Sequence, residues 1–419
     1  MSSNKPIKKI VVAYSGGLDT SCMIPWLSEE YGGAEIIAYT GDLGQGEDLK
    51  AIREKALRTG AVKAVVEDLQ VPFVEDFIWP AVRANAIYEG MYPMHTALGR
   101  PLLARRMAEV ALEEGADAVA HGCTGKGNDQ VRFELTFRAL APQMAIIAPL
   151  RTWELTTRES EVEYALERKI PIPITMEKPY SIDQNLWGCA IECGEMEDLW
   201  AEPPEDAWRM TKDPSHAPKG SVELVIGFEQ GIPVTIDGRP MTGVELITYL
   251  NGIAGTFGVG RIDMVENRVV GLKSREVYEA PAATLIHMAH TELERICLDR
   301  QTFNYKRKVA QDFANLVYDG LWFSPLREAM QAFVEESQRT VTGEVRIRVS
   351  AGLARITGRR SPYSLYDHGL ATYSEGDTFD RNAAEGFLEI FGLSTRTVAE
   401  NRRLAGQPIF ARKSEQNNK

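Results

Sequence analysis

The chain has 419 residues, of which 44% are hydrophobic and 25% are charged, and this length allows two or three domains. Its formal net charge of −12 argues against a nucleic-acid partner, because binding to a phosphate backbone needs a basic face. Five cysteines at irregular spacing do not form a disulfide framework, and nothing approaches 18 uninterrupted apolar residues. We therefore expect a cytoplasmic protein with reduced thiols and no membrane partner.

The first element is an apolar, β-branched run at residues 9–13, which predicts a buried parallel strand. Residues 15–17 (Ser-Gly-Gly) follow, and then Asp19, Thr20 and Ser21, which are favourable N-cap residues for a helix. A strand, a glycine turn and a helix N-terminus direct backbone N–H groups at one point, which favours an anion such as phosphate. The run is neither a Walker loop nor a Gly-x-Gly-x-x-Gly motif. Its spacing alone also fits an ordinary tight turn.

Four more strands alternate with helices over the first half of the chain. The strands are predicted at residues 34–40, 61–66, 117–121 and 144–148, and the helices at residues 47–59, 71–90, 98–115 and 157–169. This alternation predicts right-handed βαβ crossovers and an α/β fold with a parallel sheet covered on both faces. Because ligands of such sheets lie beyond the carboxyl ends of the strands, the turns after three strands should converge on one crevice.

The pattern changes after the prolines at residues 171–174, and from Val222 it alternates with period two. An antiparallel hairpin is predicted around residues 345–356. Helices are predicted at residues 242–254, in three segments within 281–339, and at 393–404. The predicted parts are a nucleotide-binding domain over residues 1–172, an α+β domain over residues 173–391, and a C-terminal helix with a polar tail over residues 392–419.

A second polar stretch follows the fourth predicted strand and contains three glycines. Lys126 offers a positive charge for a phosphate or carboxylate, while Thr124 and Asn128 offer hydrogen bonds. Asp129 is suited to an ammonium group, and Arg132, one helical turn after Asn128, is suited to a carboxylate. A glycine loop with an N-cap at Asn128 or Asp129 and solvated charges explains the same residues, so this stretch alone does not decide between the two interpretations.

Residues 13–21 resemble the Ser-Gly-Gly-x-Asp-Ser/Thr loop of the N-type ATP pyrophosphatases. Taken together with residues 121–134, they resemble the argininosuccinate synthase family more specifically. Further matching segments occur at residues 77–80, 180–186, 258–263, 265–268, 273–275, 278–279 and 361–366. The resemblance covers the chain from Ile10 to about Leu393.

This resemblance implies a parallel-sheet domain of the adenine nucleotide alpha hydrolase-like type, followed by a synthetase domain that binds amino acids and mediates multimerisation. It implies an ATP-dependent ligase that joins L-citrulline to L-aspartate, releases AMP and pyrophosphate, and serves arginine biosynthesis. The implied reaction passes through a citrullyl-adenylate, uses Mg²⁺ with ATP, and takes place in a homotetramer.

The family's functional residues transfer to matching positions of this sequence. Those implied for ATP are Ala13, Tyr14, Ser15, Gly16, Gly17, Leu18, Asp19, Thr20, Ser21, Gly41 and Gly122, with Ser15, Asp19 and Lys126 as catalytic residues. Those implied for aspartate are Thr124, Asn128 and Asp129, and those for citrulline are Tyr92, Asn128, Arg132, Ser181, Glu266 and Tyr278. Ala97 and Ala190 replace two family serines, so Thr96, the backbone or water would have to supply those contacts.

Two other functions fit parts of the sequence. An enzyme that adenylylates a tRNA base would use a similar loop, but it would need a basic face and a catalytic cysteine pair, for which Cys189 and Cys193 are weak candidates. A nucleotide-binding regulatory protein without turnover leaves the large second domain unexplained. No metal site is expected at the two cysteines, because the sequence offers no second Cys/His pair to complete a set of four ligands. His121, His287 and His290 are interpreted as structural side chains.

Overall fold

The computed structural model describes residues 6–171 and 180–407. These residues divide into two compact units, with the boundary between Ser364 and Leu365. The predicted domain boundary at residues 172 and 173 and the predicted polar tail at residues 413–419 lie outside the described residues. Within the two described ranges, no helix is both long enough and apolar enough to cross a membrane.

A five-stranded parallel sheet organises the first part of the chain. Its strands are β1 (Lys9–Ala13), β2 (Glu35–Asp42), β3 (Lys63–Asp68), β4 (Ala118–Ala120) and β5 (Ala145–Ile147), in the spatial order β3-β2-β1-β4-β5. Every strand pair in this sheet is parallel. Ile10, Val11 and Val12 of β1 are fully buried although their side chains alternate between the two faces, so both faces of the sheet must be covered.

Helices cover both faces of this sheet, which confirms the predicted α/β fold. The covering helices are α1 (Leu18–Glu30), α2 (Leu49–Arg58), α5 (His95–Glu113), α6 (Asp129–Leu140) and α7 (Arg158–Glu167). Two shorter helices, α3 (Gln70–Phe73) and α4 (Trp79–Ala84), also belong to this part of the chain. On one face, Ile10 shares an apolar core with Met23 of α1. On the other face, Val11 shares a core with Met107 of α5. The packing on both sides fixes the point at which β1 ends.

The second part of the chain has the predicted α+β organisation, with two antiparallel sheets. Its strands are β6 (Ser181–Asn185), β7 (Gly188–Glu192), β8 (Ser221–Glu229), β9 (Ile232–Ile236), β10 (Arg239–Pro240), β11 (Arg261–Asn267), β12 (Lys273–Glu279), β13 (Gly343–Ser350) and β14 (Leu353–Arg360). Its helices are α8 (Gly243–Thr256), α9 (Pro281–Cys297), α10 (Arg300–Tyr318) and α11 (Pro325–Ser337). The sheets have the orders β11-β12-β7-β6 and β10-β9-β8-β13-β14.

One large apolar core joins these two parts. It contains Phe77 and Leu98 from the first part and Ile286 and Phe313 from the second. Phe77 also stacks on Trp322, with the ring centroids 4.6 Å apart. Because protein cores are close-packed, this continuous core fixes the β11–β12 hairpin relative to the loops that follow the parallel strands.

Over residues 365–407, the described part of the second unit, there are three helices: α12 (His368–Ala371), α13 (Ala383–Phe391) and α14 (Leu393–Leu404). The bounds of α14 are those predicted from the sequence. On α13, Phe387 and Phe391 stack with their ring centroids 5.1 Å apart, and both side chains are exposed.

One local prediction was wrong, and two hairpins were missed. The helix predicted over residues 71–90 contains a π-helical turn at Val74–Ile78 and ends at Ala84, because Asn85 adopts a left-handed conformation with φ of 55°. The hairpins β6–β7 and β11–β12 were not predicted as strands. Polar residues dominate β6, whose sequence is Ser-Ile-Asp-Gln-Asn, so its strand state depends on pairing with β7 rather than on its own pattern.

The buried imidazole of His287 makes the stability of the fold depend on pH. Burial lowers the pKa of His287 to about 3, and neither ring nitrogen has a hydrogen-bond partner among the described residues. The unfolded chain binds a proton on this ring below about pH 6.5, whereas the folded protein does not, so stability is lost as the pH falls. We predict that His287→Leu reduces the loss of unfolding free energy between pH 7 and pH 5 by about 2 kcal/mol.

Urea titrations of the wild type and the variant at both pH values measure this difference. His368→Gln is the matched control, because it also removes one histidine and the side chain of His368 is exposed. Equal losses in the wild type and His287→Leu would contradict the prediction.

Candidate active site

A polar cleft of about 660 Å³ lies at the carboxyl ends of β1, β2 and β4. Its opposite wall comes from the β11-β12-β7-β6 sheet, including Glu266 of β11 and Tyr278 of β12. The turns after three parallel strands thus converge on one crevice, as the sequence predicted. The cleft therefore joins the glycine turn to side chains from the second part of the chain.

The glycine turn after β1 presents the N-terminus of α1. Gly16 has a φ of +81°, a conformation that favours glycine, and Gly17 stands at the N-cap without a side chain that could cap the helix. The expectation that Asp19, Thr20 or Ser21 caps the helix was wrong. The helix α1 begins at Leu18, and these three residues lie within its first turn. With glycine at the cap, the first backbone N–H groups of α1 can serve a bound anion.

Lys55 of α2 fixes this turn. Its Nζ donates a hydrogen bond of 2.6 Å to the backbone carbonyl of Gly16. Ile52, one turn earlier on α2, has its Cγ1 3.4 Å from the position that a Cβ on Gly16 would take. Burial lowers the pKa of Lys55. This lysine orients a loop carbonyl and also places a positive charge beside the turn.

Two carboxyl groups meet beside the same turn, Asp19 on α1 and Glu161 on α7. Glu161 is 9% exposed, and its backbone carbonyl accepts a hydrogen bond from Cys22 of α1. Burial, together with the charge of Asp19 and a hydrogen bond between the two carboxyl groups, raises the pKa of Glu161 to about 8. Glu161 therefore carries the shared proton at neutral pH.

Arg100 of α5 links two acidic side chains in the cleft wall. Its Nε donates a hydrogen bond of 2.8 Å to Asp129, and its Nη2 donates to Asp183. Arg132 also donates to Asp129, at 3.0 Å. Burial acts to raise the pKa of Asp129, but the charges of Arg100 and Arg132 outweigh it and hold that pKa at about 2. Asp129 is thus a permanent carboxylate between two guanidinium groups.

Arg132 lies in a wall of stacked rings and hydroxyl groups. It is 3% exposed, and its Nη1 donates a hydrogen bond of 3.2 Å to the hydroxyl of Thr96. The Thr96 and Tyr92 hydroxyls are hydrogen-bonded to each other at 2.7 Å, and Tyr92 stacks on Tyr278 with the ring centroids 3.9 Å apart. Three residues predicted for citrulline, namely Tyr92, Arg132 and Tyr278, therefore form one surface with Thr96.

Glu266 supplies the negative charge of this surface. It is 1% exposed and accepts hydrogen bonds from the hydroxyls of Tyr278, at 2.7 Å, and of Tyr318. Burial raises the pKa of Glu266, while the two hydroxyls and the charge of Arg132 act in the opposite direction. A buried guanidinium and a buried carboxyl group on one surface are the pair that an amino-acid zwitterion requires.

Most of the predicted site residues line the cleft. They are Ala13, Tyr14, Ser15, Thr20, Gly41, Tyr92, Thr96, Gly122, Thr124, Asn128, Asp129, Arg132, Ala190, Glu266 and Tyr278. The glycine turn and the first turn of α1 carry Gly16, Gly17, Leu18, Asp19 and Ser21. The structure does not bring three others into the wall: Ala97 is buried within α5, while Ser181 and Lys126 are exposed.

Several cleft residues were missed by sequence reasoning. Arg100, Asp183, Glu192, Arg268 and Glu276 all line the cleft. Arg268 donates hydrogen bonds of 2.7 Å to Glu192 and 2.5 Å to Glu276. Asp183 and Arg268 lie within segments that carry the family resemblance, and that signal could have pointed to them. Arg100 stands in no such segment, so only the fold identifies it.

The parallel sheet, the glycine turn after its first strand and the shared cleft define a HUP-type nucleotide-binding domain joined to an α+β domain. A family model described as the arginosuccinate synthase N-terminal HUP domain matches residues 9–171. A second model, described as the arginosuccinate synthase C-terminal domain, matches residues 180–398.

Full-length relatives agree with these family models. The chain is 54% identical to an argininosuccinate synthase of Chlorobium luteolum and 55% identical to those of Pelodictyon phaeoclathratiforme and Chlorobaculum tepidum, each over 393 residues. Each alignment covers 94% of this chain and 98% of the relative. The chain therefore belongs to the argininosuccinate synthase family. It is an enzyme that uses ATP to ligate citrulline and aspartate in arginine biosynthesis, and its substrates are small molecules.

The carboxyl pair beside the glycine turn predicts a second dependence of stability on pH. The folded protein keeps a proton on Glu161 up to about pH 8, whereas an unfolded glutamate loses it near pH 4.3. The folded state binds more protons between these values, so this group makes stability fall as the pH rises. We predict that Glu161→Gln, which mimics the protonated side chain, removes this decline between pH 5.5 and pH 8.

Urea midpoints at several pH values test the prediction. Glu163→Gln on the same helix is the matched control, because the side chain of Glu163 is exposed. If Glu161→Gln kept the pH dependence of the wild type, the proton would not reside on this pair.

Proposed function

We propose that the cleft activates citrulline by adenylylation and then transfers the activated carbon to aspartate. In the first step the ureido oxygen of citrulline attacks the α-phosphorus of ATP, and the bond to pyrophosphate breaks. In the second step the amine of aspartate attacks the ureido carbon, loses a proton, and displaces AMP. The observation that carries this proposal is that the N-terminus of α1 and the Arg132–Glu266 surface belong to one cleft.

The glycine turn supports binding of the departing pyrophosphate. Residues 13–21 provide backbone N–H groups at a helix N-terminus, and preorganised donors of this kind stabilise developing negative charge. Gly41 lies near the end of β2 and Gly122 follows β4. Both line the same cleft, which suits them to the rest of the nucleotide. Ser15 and Asp19 are the proposed catalytic residues of the turn, and Lys126 is the proposed catalytic residue of the second loop.

The opposite wall supports binding of the two amino acids. Arg132 is proposed to bind the carboxylate of citrulline and Glu266 its ammonium group, with Tyr92 and Tyr278 beside them. Thr96 contacts Arg132 directly, so it can take the place of the hydroxyl that is missing at Ala97. Aspartate is proposed to bind at Thr124, Asn128 and Asp129, while Ser181 and Ala190 stay proposed citrulline contacts.

We propose that Mg²⁺ binds beside the glycine turn together with ATP. Mg²⁺ commonly takes one or two carboxylates together with phosphate oxygens, and Asp19 and Glu161 offer two carboxyl groups there. In the described part of the chain, no group of three or more His, Cys, Asp or Glu residues could hold a metal. Asp19 would hold the ion, joined by Glu161 once its proton is lost. When bound, the ion neutralises phosphate charge.

We further propose a cytoplasmic homotetramer. The exposed aromatic pair of α13, Phe387 and Phe391, is an apolar surface of the kind that subunit contacts bury. All five cysteines are free, which is compatible with a reducing compartment such as the cytoplasm.

Isotope transfer tests the adenylylation step. The enzyme is incubated with ATP, Mg²⁺, aspartate and citrulline that carries ¹⁸O in its ureido group. We expect AMP, pyrophosphate and a dicarboxylic guanidino product, with the label recovered in the phosphate of AMP, because the ureido oxygen leaves with that phosphorus. Formation of ADP with label in inorganic phosphate would mean attack on the terminal phosphorus, and it would overturn the assignment of the glycine turn.

Lys55 provides a separate test of the nucleotide end. We predict that Lys55→Met lowers kcat/KM for ATP by about tenfold to a hundredfold, since charged hydrogen bonds contribute about 1.5–3 kcal/mol. KM for citrulline should change less than twofold, because Lys55 contacts the glycine turn and not the opposite wall. Steady-state assays of pyrophosphate release measure both constants.

The matched control is Lys50→Met, since Lys50 is an exposed lysine on the same helix. It should behave as the wild type does. Equal effects of Lys55→Met on ATP and on citrulline would show that the lysine supports the whole cleft and not the turn.

A further inference from the structure

Tyr318, the last residue of α10, makes contacts to three of the proposed substrate residues. Its hydroxyl donates to Glu266 and accepts a hydrogen bond of 2.8 Å from the side-chain amide of Asn128. Its backbone carbonyl accepts a hydrogen bond of 3.2 Å from Arg132, whose guanidinium carbon lies 5.0 Å from the centre of the Tyr318 ring. The other face of the ring stacks on Tyr88, with the centroids 3.5 Å apart.

We propose that Tyr318 is a positioning residue that aligns Glu266 and Asn128 for the citrulline and aspartate that bind beside them. This inference rests on the proposed function, because that proposal assigns the two side chains to the substrates. Tyr318 itself is buried and is not part of the cleft lining, so it acts through its neighbours.

The direction of the hydrogen bonds follows from the chemistry of the three groups. The side-chain oxygen of Asn128 accepts a hydrogen bond of 3.0 Å from the backbone N–H of Val269, which places its NH₂ group towards Tyr318. An amide NH₂ can only donate, so the Tyr318 hydroxyl accepts from Asn128 and directs its single proton to Glu266. The order Asn128 to Tyr318 to Glu266 is therefore fixed by the structure.

Because the Tyr318 hydroxyl donates to Glu266, this hydrogen bond affects the charge of Glu266. A carboxyl group with 1% exposure tends to keep its proton, and it then has no charge with which to bind an ammonium group. The hydroxyls of Tyr318 and Tyr278 both donate to it, and donation favours the ionised form. Loss of the Tyr318 hydroxyl would leave Glu266 protonated at a higher pH and would leave the Asn128 amide without one of its two partners.

The end of α10 is built to lie against α6. Gly320, two residues after Tyr318, has a φ of +76°, and a Cβ at this position would stand 2.8 Å from the Cα of Arg132. A larger residue there would have to move the two backbones apart. The approach of these backbones places the Tyr318 carbonyl within hydrogen-bond distance of Arg132.

Tyr318→Phe isolates the hydroxyl group, because phenylalanine keeps the ring, its stacking on Tyr88 and the backbone carbonyl. We expect KM for citrulline to rise about tenfold to a hundredfold and KM for aspartate to rise less, with KM for ATP within twofold of the wild type. The acid limb of the pH profile of kcat/KM for citrulline should also move to higher pH. The titratable and charged groups around Glu266 are Tyr88, Tyr92, Arg132, Arg268, Glu276, Tyr278 and Tyr318, and of these described residues only Tyr278 and Tyr318 donate a hydrogen bond to it.

Tyr88→Phe is the matched control, since it removes a hydroxyl from the other ring of the same stack. That hydroxyl donates to the backbone carbonyl of Asn267 and not to Glu266. We expect this variant to change KM for citrulline less than threefold and to leave the pH profile unchanged. The same selective loss in both variants would assign the effect to the stack and would overturn the role of the Tyr318 hydroxyl.

Gly320→Ala keeps the inference testable if Tyr318→Phe folds poorly, which thermal unfolding would reveal. This second variant retains the hydroxyl but displaces the end of α10, and it should also raise KM for citrulline more than KM for ATP. Unchanged constants in a folded Tyr318→Phe protein, or equal rises for all three substrates, would overturn the inference. Failure of the wild type to form the citrulline product would instead refute the proposed function.

Discussion

The buried carboxyl group of Glu266 is the constraint on which the arrangement of the cleft depends. An ionised carboxylate with 1% exposure is very unfavourable unless donors and an opposite charge surround it. Its donors come from β12 and α10, and the nearby positive charge comes from Arg132 of α6. Glu266 therefore depends on donors from the antiparallel part of the chain and on a positive charge from the parallel-sheet part.

The two ends of the cleft offer different kinds of groups to the ligands that we propose for them. At the glycine turn the proposed donors to the phosphates belong to the backbone, and the φ of +81° at Gly16 and the helix start at Leu18 set their positions. At the opposite wall the recognition groups are side chains, each held by neighbours from other elements, as Arg132 is by Thr96 and Asp129. Backbone donors suit a phosphate chain, whereas a particular amino acid requires charges at fixed positions.

The acidic character of the chain is compatible with an anionic substrate, because its charges act locally. The formal net charge is −12, but interactions between exposed charges are largely screened beyond about 8 Å at physiological ionic strength. Beside the glycine turn, the end of a helix dipole and the ammonium of Lys55 both contribute positive potential. Within the wall, Arg100 and Arg132 are balanced by Asp129 and not by solvent.

Features that depend on neighbouring residues could be predicted from the sequence: the strand and glycine turn before α1, the alternation of strands and helices in the first half, and the bounds of α14. It also carried the family resemblance, which located most of the cleft residues. Tertiary packing was needed to establish where the helix after residue 70 ends, that β6 and β11 are strands, that Arg100 lines the cleft, and that Tyr318 contacts residues of its wall. The physical reason is distance along the chain, because Tyr318 contacts Asn128 across 190 positions and Glu266 across 52, and no local pattern encodes such contacts.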